Sequence, residues 1–168
     1  MNNPLSSMFN FFGLKLSLQA IRLEEFIPTT ETDKAWLEAF LHAYHSTRED
    51  LIPDRTDLTN PKINYFKAYV NKRFIGISGY KILSPTHAEI TKTIIIPEER
   101  GKGYGEMLAA QMVDLLKERG FKKALSVVYT TNLPMIFIRL KQGFLVEGLL
   151  RNADAPGIHE YHMGKELE

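Results

Sequence analysis

A basic, glycine-rich stretch in the middle of the chain has the residue types of an anion-binding loop. It consists of Arg100, Gly101, Lys102, Gly103, Tyr104 and Gly105. Glycines let backbone N–H groups converge on a ligand, and the two cationic side chains add full positive charge. Glycines at alternate positions are costly for an ordinary surface turn, because glycine loses the most conformational freedom on folding. The stretch therefore favours a phosphate-binding loop over a simple change of direction.

The residues on either side predict a strand before this loop and a helix after it. Residues 90–96 are rich in isoleucine, and Pro97 ends the run. Beyond the loop, Leu108, Met112 and Leu116 recur at helical spacing. A helix N-terminus adds partial positive charge to the loop that precedes it. A pyrophosphate is the ligand that this arrangement suits.

Two common phosphate motifs do not fit these residues. A nucleotide P-loop requires Ser or Thr after its Gly-Lys pair, whereas Gly103 follows Lys102 here. A dinucleotide fingerprint requires a third glycine at the position that Glu106 occupies. Neither a P-loop nucleotide site nor a dinucleotide site is therefore expected.

The spacing Arg-x-x-Gly-x-Gly, formed by Arg100, Gly103 and Gly105, resembles the acetyl-CoA pyrophosphate loop of the GNAT superfamily of N-acetyltransferases. A later segment agrees with the family's Asn-x-x-Ala-x-x-x-Tyr-x-x-x-Gly-Phe pattern. It supplies, at those spacings, Asn132, Met135, Arg139, Gly143 and Phe144. The resemblance is specific from about residue 87 to residue 144. It departs from the family at Arg139, which stands where the family often has tyrosine.

The resemblance implies a fold and a cofactor. The fold is α/β, a GNAT-like acyl-CoA N-acyltransferase fold with a central mixed, mostly antiparallel sheet flanked by helices. The co-substrate is acetyl-CoA, and no metal is required. The residues that the resemblance assigns to its binding are Ile94, Ile95 and Ile96 beside the pantetheine arm, the loop residues Arg100, Gly101, Lys102, Gly103, Tyr104 and Gly105, and Asn132.

Strand and helix patterns along the chain agree with such a fold. Alternating or apolar runs predict strands at residues 18–26, 63–70, 74–83, 87–96, 124–129, 144–150 and 158–167. Helical patterns predict three helices. The first runs from a cap at Thr32 or Asp33 to Tyr44, the second follows the glycine loop, and the third covers residues 133–141. Residues 45–62 predict a loop or a short helix. The strand–helix order implies helices on both faces of the sheet.

The isoleucines at 94–96 break clean strand alternation, and a β-bulge there would resolve the pattern and open the strand towards CoA. Simple alternation places Glu89, Thr91 and Thr93 on one face of the strand.

Four residues are candidates for catalysis. Glu89 resembles the catalytic glutamate of the histone-acetyltransferase branch of the superfamily. A carboxylate that faces a desolvated cleft can accept the proton of the acceptor amine. The alternative is that Glu89 is a solvated carboxylate at the end of a strand. Arg139 is a poor acid, so its role is stabilisation of thiolate charge or binding of a CoA phosphate, unless it is a solvent-facing helix residue. Tyr129 and Tyr104 are the substitutes for the missing tyrosine, and the sequence does not rank them.

Composition sets the remaining expectations. The chain has 168 residues, a net charge of +1 and no cysteine, so thiolate catalysis is excluded and nucleic-acid binding has no support from overall charge. We expect an N-terminal extension at residues 1–15 and one domain at residues 16–168. Residues 1–15 carry no basic leader, and no run is long enough to span a membrane, so a cytoplasmic location is expected.

The function predicted is transfer of the acetyl group of acetyl-CoA to a primary amine by direct attack in a ternary complex. The acceptor is a small-molecule amine or a peptide or protein amine, with no nucleic-acid or membrane partner, and a homodimer is left open. Two alternatives remain at this stage. One is a CoA-binding regulatory module that has lost catalysis, and the other is a transferase that uses a different acyl-CoA.

Overall fold

The computed structural model of the protein describes residues 20–44 and 63–168. In these ranges the elements follow one another as β1 (Arg22–Phe26), α1 (Glu31–Tyr44), β2 (Ile63–Val70), β3 (Arg73–Ile82), β4 (His87–Ile95), α2 (Tyr104–Glu118), β5 (Lys123–Tyr129), α3 (Leu133–Lys141), β6 (Leu145–Leu150) and β7 (Glu160–Glu166). A 3-10 turn, Pro97–Glu99, joins β4 to the glycine loop. The prediction for residues 45–62 lies outside the described residues, as does that for residues 1–15.

The seven described strands form one sheet in the order β1-β2-β3-β4-β5-β7-β6. Neighbouring strands are antiparallel except for β4 and β5, which are parallel. The expected mixed, mostly antiparallel sheet is therefore confirmed. Parallel neighbours require a crossover, and α2 supplies it between β4 and β5.

Helices cover both faces of this sheet, as predicted. On one face α1 buries Leu37, Phe40 and Leu41 in a cluster with residues of β2, β3 and β4. On the other face the apolar stripe of α2 packs with Ile136 of α3 in a larger cluster. Helices α1 and α2 each bury an apolar side, and burial of that side fixes them to the sheet.

Strands β3, β5, β6 and β7 begin within one or two residues of the prediction, and the starts of β1 and α1 also differ from it. Strand β1 begins at Arg22 within the described residues, after the expected start at 18. Helix α1 begins at Glu31 because Thr30, not Thr32 or Asp33, caps it. The Asp33 N–H donates to Thr30 Oγ1 at 3.1 Å, and the Thr30 N–H donates back to the Asp33 carboxylate at 3.3 Å. This reciprocal pair is a capping box, which fixes the N-cap at Thr30, three residues before Asp33.

A β-bulge lies in β4, close to the predicted position. Between the pairs Ile77–Ile94 and Gly79–Thr91, β3 advances by two residues and β4 by three. Lys92 in this segment has a φ of 54°. The extra residue turns Thr93 to the opposite face, where its hydroxyl lies 2.8 Å from that of Ser78. The expectation that Glu89, Thr91 and Thr93 share a face is therefore wrong for Thr93.

Gly76 controls how closely β3 approaches β4 beyond the bulge. It pairs with Ile95, and a Cβ at this position would lie 2.0 Å from the backbone oxygen of Ile94. We predict that Gly76→Ala destabilises the protein by about 1–3 kcal/mol, because the backbone must shift to admit the methyl group. Urea unfolding monitored by circular dichroism measures this change.

The matched control is Gly148→Ala in β6, where the nearest atom to an added Cβ is His162 Cβ at 4.0 Å. This substitution is expected to change the free energy of unfolding by less than ~0.5 kcal/mol, as for uncrowded surface sites. Equal effects of the two substitutions would show that the β3–β4 contact is not tight.

Candidate active site

A wedge-shaped opening separates β4 from β5 in the middle of the sheet. The two strands are paired over three positions, the last of which joins Glu89 to Leu125. Beyond Glu89 the strands diverge, on the side where β4 carries its bulge. A cavity of about 120 Å³ fills the wedge, and residues of both strands line it together with Asn132, Met135 and Arg139.

A larger cavity of about 500 Å³ continues from the wedge to the ends of the two strands. The glycine loop and the start of α3 form two of its walls. Among the residues that line it are Ile94, Ile95, Arg100, Gly105, Tyr129 and Asn132. The two cavities share Tyr129 and Asn132, so one elongated ligand can reach from the loop into the wedge.

The glycine loop exposes backbone donors at the start of α2. Gly101 and Gly103 have φ values of 74° and 82°, and nothing lies within 4 Å of a Cβ built on either residue. Gly103 is the N-cap of α2, and its position has no side-chain cap. The first N–H groups of α2 are thus left without a capping side chain, which is the arrangement that anions occupy at helix N-termini.

The two cations of the loop have different partners. Arg100 lines the large cavity while its Nε donates to the backbone oxygen of Ile95 at 2.9 Å. Lys102 instead forms an ion pair with Glu99 at 2.9 Å, and Arg73 contacts the same carboxylate at 2.8 Å. Arg100 therefore has the position expected of a ligand-binding cation, whereas the charge of Lys102 is partly compensated within the chain.

Other predicted cofactor residues divide between the cleft and its surroundings. Ile94 and Ile95 line the large cavity. Ile96 lines a separate groove beside α1, and Tyr104 packs its side chain against the core under α2. Any contact of Tyr104 with a ligand in the cleft would therefore use its backbone. Asn132 lines both cavities and also caps α3 by accepting from the Met135 N–H at 3.3 Å, so capping the helix does not remove it from the cleft.

Arg139 is a buried residue, with 1% of its surface exposed, so the reading as a solvent-facing helix residue is wrong. Its Nε donates to Ser126 Oγ at 3.1 Å, and one terminal nitrogen donates to Gln142 Oε1 at 3.1 Å. The guanidinium also lies over the Phe144 ring, 5.2 Å from its centroid. These partners are neutral, and burial lowers the pKa of Arg139 to about 10. At neutral pH the side chain is a buried cation at the wall of the wedge.

Acidic and phenolic side chains lie close together on the face of the sheet opposite to Arg139. Glu89 is in register with Leu125 and faces the same side of the sheet. Tyr129 lies four residues after Leu125 in β5, so its side chain also faces that side. The Tyr129 hydroxyl donates to Asp154 at 2.5 Å, and Glu160 of β7 is the cross-strand neighbour of Tyr129. Burial and the hydrogen bond to Asp154 raise the pKa of Tyr129 well above its ordinary value. Burial and the charges of Asp154 and Glu89 also raise the pKa of Glu160.

The family model that matches this chain is the acetyltransferase (GNAT) family, over residues 27–144. This span exceeds half of the chain and contains both the glycine loop and the wedge. The chain belongs to the GNAT acetyltransferase family.

Solved structures with the same fold agree with this assignment. The ribosomal-protein-S18-alanine N-acetyltransferase from Escherichia coli is 15% identical, with a TM-score of 0.71 over 88% of this chain and 94% of that one. A Bacillus subtilis acetyltransferase in complex with CoA is 13% identical, with a TM-score of 0.69 over 88% and 99%. Spermidine N-acetyltransferase from Vibrio cholerae, in complex with CoA and spermine, is 17% identical, with a TM-score of 0.67 over 88% and 95%. A search of curated protein sequences gave no match.

Sequence reasoning missed Asp154, Glu160 and Ser126 in this GNAT acetyltransferase. The first two lie far from the glycine loop in sequence and reach Tyr129 only through the β5–β7 register. Alternation along β5 places Ser126 on the buried face of the strand. A polar residue on that face was the one feature of the sequence that could have indicated a partner for Arg139. In residues 20–44 and 63–168 no helix is long and apolar enough to cross a membrane.

The open conformation of Gly103 leads to a prediction for cofactor binding. We expect acetyl-CoA to raise the melting temperature of the wild type, since a ligand for the native state alone stabilises it. Gly103→Val should abolish this shift, because valine disfavours the left-handed conformation and its side chain occupies the open space at the N-terminus of α2. Differential scanning fluorimetry with millimolar acetyl-CoA measures both.

Gly120→Val is the control, because Gly120 has a φ of 86° and equally open surroundings at the other end of α2. It should lower the melting temperature of the unliganded protein and retain the shift. A wild type whose melting temperature does not respond to acetyl-CoA would contradict the assignment of the loop.

Proposed function

We propose that this protein transfers the acetyl group of acetyl-CoA to a primary amine by direct attack in a ternary complex. The observation that carries the proposal is the separation of β4 and β5 beyond Glu89, which opens towards an uncapped helix N-terminus at Gly103. A pyrophosphate at the helix N-terminus leaves the two cavities for the pantetheine arm and the thioester. The chain has no cysteine to hold a covalent acetyl group, which favours direct transfer.

In the proposed reaction the amine nitrogen attacks the thioester carbonyl carbon, the carbon–sulfur bond breaks, and the amine loses a proton. Glu89 is the proposed proton acceptor. It is half-buried and stands at the last paired position of β4 and β5, where the wedge begins. It lines neither cavity directly, so it receives the proton from an acceptor bound on the Tyr129 face or through a water molecule.

Glu89→Gln tests the reaction and the base together. We predict that wild type releases CoA thiol from acetyl-CoA only when an acceptor amine is present, and that Glu89→Gln lowers turnover by ~10²–10⁴-fold at neutral pH. The loss should shrink as pH rises, because the free amine no longer needs a base. Thiol release with a panel of small amines and peptides, followed from pH 6 to about pH 10, measures this.

Glu118→Gln, an exposed carboxylate on α2, is the matched control and should behave as wild type. Near-wild-type turnover of Glu89→Gln at neutral pH would remove Glu89 from the mechanism. Binding of acetyl-CoA without transfer to any amine of the panel would favour the regulatory module instead.

Departure of the CoA thiolate is the second chemical requirement, and two residues of the wedge suit it. Arg139 supplies a fixed cation that stabilises developing thiolate charge without proton transfer. Tyr129 lines both cavities, and its raised pKa keeps the phenol protonated at neutral pH. Tyr104 does not line either cavity, so Tyr129 is the better candidate for protonating the leaving thiolate.

Substitutions at Arg139 separate charge stabilisation from structural packing. Arg139→Lys keeps the charge and should retain most activity, whereas Arg139→Met should lower kcat at saturating acetyl-CoA. The methionine variant should also melt at the same or a higher temperature without ligand, because replacing a buried charge by an apolar group is often neutral or stabilising. Steady-state kinetics and thermal melts measure the two effects.

Tyr129→Phe is the companion variant, and if Tyr129 is the proton donor it should lower kcat. Because the pKa of Tyr129 lies well above its ordinary value, this residue should give no basic limb between pH 6 and about pH 10. A rise in KM for acetyl-CoA with unchanged kcat in Arg139→Met would instead assign Arg139 to binding of a CoA phosphate. A large loss of stability in the same variant would assign it to packing.

A further inference from the structure

The charged side chains that line the wedge between β4 and β5 are all basic. Among the described residues that form its wall, Lys92 and Arg139 carry positive charge and none carries negative charge. The acidic residues near the site are Glu89, Asp154 and Glu160, and they line neither this cavity nor the larger one. An anionic group in the wedge would therefore lie beside a buried guanidinium with no carboxylate in the wall to repel it.

Arg139 retains hydrogen-bond donors that no part of the described chain accepts. Its Nε donates to Ser126 and its Nη1 to Gln142, whereas its Nη2 makes no hydrogen bond within residues 20–44 and 63–168. A guanidinium has five N–H groups, and the polar groups of a side chain that is 1% exposed normally find partners. The remaining donors of Arg139 therefore indicate a ligand that accepts hydrogen bonds in the wedge.

Two neighbouring side chains add donors to the same wall. The Ser126 hydroxyl accepts from Arg139, so its own hydrogen is left to donate. Asn132 accepts from the Met135 N–H through Oδ1, which leaves the two hydrogens of its amide nitrogen for the cavity that it lines. A fixed cation with further donors around it is the environment that suits a carboxylate, which only accepts hydrogen bonds and can take two from one guanidinium.

The wedge also has more space than an acetyl group fills. Its volume is about 120 Å³. This is on the order of the space that four molecules of liquid water occupy. An acetyl group consists of one carbonyl and one methyl group, so part of the wedge beside Arg139 remains open when acetyl-CoA is bound as proposed. A longer acyl group can extend into that part.

We propose that the wedge also binds acyl-CoA donors whose acyl group ends in a carboxylate, as in malonyl-CoA and succinyl-CoA, with that carboxylate on Arg139. The site is the one proposed for acetyl transfer, so the assignment rests on that function and adds a class of acyl donor to it. The amine nitrogen attacks the thioester carbon, the carbon–sulfur bond breaks, CoA leaves as the thiolate, and the amine proton passes to the base. The terminal carboxylate forms no covalent bond and is retained in the product amide.

Binding without an acceptor amine tests this assignment separately from transfer. Malonyl-CoA and isovaleryl-CoA are matched ligands, because a carboxylate and an isopropyl group have similar size and shape and only the carboxylate is charged. Succinyl-CoA and isocaproyl-CoA form a second pair that is one carbon longer. Isothermal titration calorimetry of the full chain should give wild type a Kd about tenfold lower for the charged member of at least one pair, as expected for a charged hydrogen bond.

Substitutions at Arg139 should change this preference and not overall binding. Arg139→Met should remove the preference for the charged ligand, and Arg139→Lys should retain part of it. Lys141→Met is the matched control, because Lys141 is an exposed cation of the same helix that pairs with Glu106 at 3.1 Å. This variant should keep the full preference. Circular dichroism checks that each variant is folded.

Thiol-release assays with the amine panel separate failure of this assignment from failure of the transferase. Transfer from acetyl-CoA, with equal or tighter binding of the uncharged member of both pairs, would overturn the assignment and leave acetyl transfer standing. Tighter binding of a charged member that Arg139→Met abolishes, without transfer to any amine, would support the assignment and count against the transferase. An equal loss of affinity for all acyl-CoA ligands in Arg139→Met would overturn the assignment, because Arg139 would then bind a part that they share.

Discussion

The extra residue in β4 is the constraint on which the rest of the site depends. A regular strand would continue its ladder with β5, and the sheet would close over the position proposed for the thioester. The bulge at Lys92 changes the twist of β4 and turns the side chains that follow it to the opposite face. On its β3 edge the strand resumes pairing at Ile94, which is opposite Ile77, whereas on its β5 edge the wedge opens. Because a β-sheet interior is close-packed, such an opening cannot form by side-chain motion alone and must be set in the backbone.

Arg139 shows how this opening is compatible with a stable domain. An ionised group in a protein interior normally pairs with an opposite charge, because desolvation costs several kcal/mol. Here the guanidinium is held by a hydroxyl, an amide oxygen and an aromatic face, all of them neutral. Its positive charge therefore remains available to a negative group in the wedge. Tyrosine at this position would provide a proton, whereas arginine provides a permanent field.

The sequence predicted the parts of this molecule that follow from local rules. The glycine spacing predicted the loop, alternation predicted the positions of the strands along the chain, and the broken alternation at Ile94–Ile96 predicted a bulge close to where it lies. What could not be predicted depends on register between distant segments. Thr93 changes face because one residue is added upstream, and Glu160 meets Tyr129 because β7 lies between β5 and β6. The burial of Arg139 likewise depends on how α3 docks, which its own helical pattern does not determine.

Two features of the candidate site lower stability. Lys92 has a left-handed backbone that costs a non-glycine residue ~1–2 kcal/mol. Helix α2 begins without a capping side chain, which forgoes ~1 kcal/mol. Elsewhere in the described residues, α1 has a complete capping box, and α1 and α2 bury continuous apolar faces. Left-handed non-glycine residues also occur in the turns at Asn71, Lys72 and Asn152, so the feature that distinguishes the candidate site is the uncapped start of α2 beside the cavity. The same N–H groups cannot both be satisfied by the chain and remain free to bind a pyrophosphate.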